Sequence, residues 1–151
     1  VGRKLLLFGA INDAPVPGAT AAERAANYAT VPVETAIPGD VTNYRRWVNF
    51  PWAVVEAGGQ GHAGEWTTAD DARLRALVAR AHAMHLWIRL YTLNGDDKTP
   101  AGGYNFGSRA AALNRWKAAI DAKVDFLATD QYEDLARVRA AELGAPSMLS
   151  R

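Results

Sequence analysis

The chain has 151 residues, 49% of them hydrophobic and 22% charged, with a formal net charge of +1. That is the size and apolar content of one globular domain, residues 1–151, and the charge balance, with no block of like sign, excludes the electrostatic footprint of a nucleic-acid binder. The absence of cysteine excludes disulfides, thiolate zinc sites and thiol nucleophiles, and no stretch is apolar for long enough to span a bilayer. The compartment stays open, export from the cytoplasm included, because cysteine-free domains occur on both sides of the membrane. No signal peptide is visible, and the start at Val1 without methionine is read as a processed or truncated end.

KLLLFGA (Lys4 to Ala10) is a short continuous apolar run, the pattern of a strand covered on both faces, and it ends in the turn INDAPVPG. TAAERAANYA follows, with Thr20 as cap and Glu23 three residues on, a capping-box signature. After the proline-bearing connector TVPVETAIPGD, the run Tyr44 to Trp52 predicts a second strand, closed by the glycine-rich loop EAGGQGHAGEW. The next helix is capped by Thr67 or Thr68, carries acids in its first turn and sets Leu74, Leu77, Val78 and Ala81 on one stripe. A strand within HLWIRLYTLNG and the loop NGDDKTPAGGYNFGS come next. Ser108 caps a helix with Ala112, Leu113, Trp116 and Ile120 at helical spacing, KVDFLATD predicts a fourth strand, and YEDLARVRAAEL a last helix stopping at Gly144. Strand then helix, four times over, with short helix-to-strand joints, predicts α/β architecture built of right-handed βαβ units. The expected strands lie near 4–10, 45–52, 85–92 and 124–129, parallel and in sequential order.

Four βα units make half of a closed eight-stranded barrel or a small open sheet. The stretch GEWTTADDARLRALVARAHAMHLWIRLYTLNG, followed by RWKAAIDAKVDFLATDQYEDL, resembles the C-terminal half of the phosphatidylinositol-specific phospholipase C-like and glycerophosphodiester phosphodiesterase barrels. The likeness lies in Ala81-His82-Ala83 ending a helix, the aromatic strand Trp87 to Leu93, and Val124-Asp125 with Thr129-Asp130. It covers roughly residues 64 to 140, and the first 60 only in strand order. It implies a TIM-type (β/α)8 barrel of which this chain is strands five to eight. It also implies a phosphoric diester hydrolase whose His-Arg-Gly phrase, Glu-x-Asp metal pair and second histidine sit in the other half. None of those phrases occurs here. A divalent cation, Ca or Mg, is therefore expected only in a complete barrel and not on this chain alone, and the isolated chain is expected to be inactive. The alternative is a non-catalytic module that binds a sugar, polyol or lipid headgroup at the same barrel mouth.

On a barrel strand, alternation turns Trp87, Arg89 and Tyr91 to the interior and Ile88, Leu90 and Thr92 to the helices. Arg89 then stands near the mouth, where a guanidinium forks onto phosphate or carboxylate oxygens. Its structural alternative is an ion pair with Asp125 or Asp130. The strand ends bring Asn49, Trp52, Tyr91, Asn94, Thr129 and Asp130 to the same mouth as candidate substrate-binding residues. Asn94 and Asp130 could equally start turns, and Trp52 could be core. His62, His82 and His85, with Glu56 in the glycine-rich loop, invite a metal reading that no ligand spacing supports. The glycine-rich loops lack the phosphate-loop lysine, and no serine stands in a nucleophile elbow. An uncovered half-barrel face with Trp47, Trp87 and Leu127 requires either the N-terminal half or self-association.

Overall fold

A computed structural model describes residues 9–11, 15–39, 41–42, 44–95 and 106–144. Residues 4–8 of the first expected strand, and most of the loop after Asn94, lie outside them. The elements run β1 (Gly9–Ile11), α1 (Ala21–Asn27), α2 (Val33–Ala36), β2 (Arg45–Pro51), α3 (Thr68–Ala83), β3 (Trp87–Tyr91), α4 (Arg109–Asp121), β4 (Phe126–Leu127) and α5 (Tyr132–Glu142), with short 3-10 turns at Tyr28–Thr30, Trp52–Val54 and Gln60–His62. The four strands form one parallel sheet in the order β1-β2-β3-β4. The fold is α/β with a sequential parallel sheet.

Local chemistry accounts for the helix starts. Thr20 and Thr67 each accept the backbone N–H of the third helical residue, and Glu23 and Asp70 return the bond, two complete capping boxes. Ser108 caps α4 through the Ala111 N–H. The joints into the strands are also built alike. His85 and Lys123 adopt φ of 55° and 67°. Around them Leu86 N–H reaches Ala81 O, and Val124 N–H reaches Ala119 O, both at the six-to-one spacing of a Schellman turn. Such turns reverse the chain within a few residues and feed each helix directly into the next strand. Within the proline-bearing connector, Pro32, with fixed φ, initiates the single turn α2, which buries Ala36.

Alternation along the strands sorts the two faces. Val48, Phe50, Ile88 and Leu90 are fully buried, paired Val48 with Ile88 and Phe50 with Leu90. They pack with Leu74, Leu77, Val78 and Ala81, the four residues that α3 buries, and with Ala112, Trp116 and Ala119 of α4. The other face pairs Trp47 with Trp87, Asn49 with Arg89 and Pro51 with Tyr91. There Trp87 remains 59% and Phe126 48% exposed. Leu127 does not belong to this open face as expected: it pairs with Leu90 and packs on the helix side, and Phe126, opposite Arg89, takes its place. One residue of register decides this, because side chains alternate with period two. Thr92 has likewise left the strand; it takes φ of 63°, and its hydroxyl accepts the Trp52 N–H at 3.2 Å.

Candidate functional site

The C-terminal ends of β3 and β4 meet around Asn94. Its side-chain oxygen accepts from the Thr129 hydroxyl and the Asp130 N–H, both at 2.8 Å, and its Nδ2 donates to the Asp130 carboxylate at 2.6 Å. Its backbone oxygen accepts from Gln60 Nε2 at 2.6 Å and from the Phe106 N–H at 3.0 Å. Gly95 follows and passes close to α4, where a Cβ would sit 2.3 Å from that of Ala112. Its N–H is held by Gln131 Oε1 at 2.7 Å. Asn94 is thus a clasp between two strand ends, and it fixes the direction in which Asp130 presents its carboxylate.

Beside the clasp, Arg89 is half-buried on the open face. Its Nη1 donates to Asn49 Oδ1 at 2.6 Å, and its guanidinium lies 5.6 Å from the Tyr91 ring centre. None of the ion pairs between described residues includes Arg89. Asp125 instead meets His82 at 3.1 Å and the Ile88 N–H at 2.8 Å, and Asp130 is held by Asn94. An open depression of about 540 Å³ is lined by Arg89, Tyr91, Thr92, Asn94, Thr129 and Asp130. Five of the seven residues expected at a mouth therefore share one cavity wall. Asn49 backs it through Arg89. Trp52 does not reach it: the indole is fully buried and donates to Glu56 Oε2 at 2.9 Å, which makes it core.

A second polar cluster lies inside the protein. Arg115, on α4, and Glu56 are both almost wholly buried, joined by a fork of two bonds at 3.0 and 2.5 Å. Arg115 also donates to Gly64 O at 2.6 Å and lies against the rings of Trp66 and Phe106. This pair ties the glycine-rich loop down onto α4. The loop's sharp return depends on Gly59, at φ 62°, which is packed against Ala53. Sequence reasoning passed over Arg115, although its place among Ala112, Trp116 and Ala119 on the helix's apolar face was a signal that it needed a buried partner.

Among the described residues the depression offers a guanidinium, the hydroxyls of Tyr91, Thr92 and Thr129, an amide clasp and one carboxylate, groups that bind an anion or a polyol. No histidine is among the described residues that line it. His82, in the last turn of α3, and His85, just after the helix, lie at the starting end of β3 and opposite the depression, with His82 engaged by Asp125. Among the described residues no three His, Asp or Glu side chains converge as a cation site. The divalent cation implied by the family resemblance thus finds no ligand set among the described residues. Compared with protein-family models, with curated proteins and with solved structures, the chain matches none.

Proposed function

We propose that the chain is four βα units of a TIM-type (β/α)8 barrel of the phospholipase C-like phosphodiesterase kind, and that its strand ends form the substrate side of the barrel mouth. The observation that carries the reading is Arg89, a half-buried guanidinium in the middle of β3 whose hydrogen-bond partner among the described residues is the neutral Asn49, lining an open depression. A guanidinium so placed keeps N–H groups for a phosphate oxygen, while Asp130, steadied by Asn94, accepts from the hydroxyls of the esterified alcohol. Ligands in parallel α/β sheets bind outside the carboxyl ends of the strands, which is where Asn94, Thr129 and Asp130 stand, with Arg89 two residues inside the end of β3. General acid–base histidines and any divalent cation belong to whatever half completes the barrel, so the chain by itself binds and does not hydrolyse.

The test compares Arg89→Lys with Arg89→Ala, titrated with inorganic phosphate and a glycerophosphodiester. The lysine variant keeps the charge and loses the planar fork, and should weaken binding by about 1–3 kcal/mol with the melting curve unchanged. If both variants bind like the parent and only melt earlier, Arg89 is structural and the reading fails. Hydrolysis by the isolated chain would refute the division of labour. The second reading, a binding module without catalysis, uses the same depression: Asn94, Thr129 and Asp130 present an amide, a hydroxyl and a carboxylate that suit the hydroxyls of a sugar or polyol.

A further inference from the structure

A parallel sheet is stable almost only when both faces are covered. Here helices cover one. The other presents Trp47, Trp87, Arg89, Tyr91 and Phe126, the aromatic and arginine composition of buried interface centres rather than of free surface. Among the described residues the two ends of the sheet are uncovered in the same way. Among the described strands β1 and β4 each have one neighbour, and the terminal helices α1 and α5 bury no residue, whereas α3 buries four and α4 six. Alongside β4 runs a groove of about 510 Å³ of mixed character, with Ile120, Val124, Leu127, Leu135 and Leu143 as its apolar part and Lys123, Asp125 and Arg139 as its charged part. It lies where the next strand and helix of such a sheet would pack.

We infer that the occupant is a second copy of this chain, closing an eight-stranded parallel barrel about a two-fold axis along the strands. Sequential order makes this geometry self-complementary. The free edge of β4 meets the free edge of the other copy's β1, α5 lies beside the other copy's α1, and the reciprocal contact forms at the opposite seam. Both edges and both open faces are satisfied at once, at the strand number for which side chains fill a parallel barrel's interior. The inference rests on the sheet and its helices and is independent of the phosphodiester reading. A different half-barrel would use the same edges, and a second copy occupies them when the chain is alone.

Sedimentation of the purified chain over a wide concentration range tests it. The expected result is reversible association to twice the 16.3 kDa chain mass and no further. Trp87→Glu on the open face and Leu143→Lys in the edge groove should each raise the dissociation constant at least tenfold, whereas Ala79→Glu, exposed on α3, should leave it unchanged. Circular dichroism checks that each variant folds, and Trp87→Gln replaces Trp87→Glu if it does not. A folded monomer at the highest attainable concentration overturns the inference. So does a dimer indifferent to both variants, or growth into larger open-ended assemblies. Arg89 and Asp130 are untouched throughout, so phosphate binding survives or fails on its own test.

Discussion

Arg115 and Arg89 meet the same problem, a guanidinium out of bulk water, and meet it differently. Arg115 is closed: Glu56 neutralises it through two bonds, Gly64 O takes another, and the rings of Trp66 and Phe106 cover it. Arg89 is open, with a neutral amide on one side, the ring of Tyr91 beneath it and a depression in front. A fully paired buried charge holds structure together; a partly paired one beside an open depression is available to a ligand.

The sharpest way to break this comparison is Arg115→Ala. Removing one member leaves Glu56 charged and buried, and the loss should be about 3–5 kcal/mol by denaturant unfolding at neutral pH. The double variant Arg115→Met, Glu56→Leu should recover most of it, short by about 1–3 kcal/mol for the Trp52 N–H left without its acceptor. A double variant less stable than Arg115→Ala would mean that the pair is more than a mutual neutralisation.

The two faces of the sheet allow a second contrast, measured in dilute solution where the chain is monomeric. Phe50→Ala empties a fully buried site and should cost about 3–5 kcal/mol. Trp87→Ala, on the open face, should cost only about 1 kcal/mol, the worth of its edge-to-face contact with Phe126. Equal losses would mean that the open face is covered within the monomer.

The smallest effect is a pH dependence at α1. The Thr20 N–H first, then the Ala19 N–H, hold the Glu23 carboxylate below its usual range. Folded Glu23 therefore binds its proton less readily than the unfolded chain does, and its contribution is present above the ordinary carboxylate pKa of about 4.3. It is lost as the pH falls through the lower, folded value. Amide exchange in α1 should quicken in that acid window, and Glu23→Gln should flatten the dependence.

Much of the helix framework was legible because it is written in neighbours. Thr20 with Glu23, Thr67 near Asp70, Ser108, and the stripe Leu74, Leu77, Val78 and Ala81 are contacts within a few residues, and the period of 3.6 exposes them to inspection. The alternation of Trp87, Ile88, Arg89, Leu90 and Tyr91 likewise fixed which side chains share a face of β3. The clasp residues Asn94, Thr129 and Asp130 could be assigned to strand ends, since their place follows from strand order alone.

What needed tertiary structure were contacts between distant segments and choices of register. Glu56 and Arg115 are 59 positions apart, and nothing local to either names the other. Trp52 joined the core because Glu56 satisfies its indole there. Leu127 and Phe126 exchanged faces because β4 is only two residues long, too short for its own pattern to fix a register that pairing with Leu90 then decided. His85 and Lys123 took left-handed turns usually given to glycine, since the six-to-one bonds and the packing of Leu86 and Val124 outweigh the strain. The sequence by itself determined elements, caps and faces, which depend on short-range periodicity. The partners of its buried charges and the register of its shortest strand depend on long-range geometry, and only the folded chain decided those.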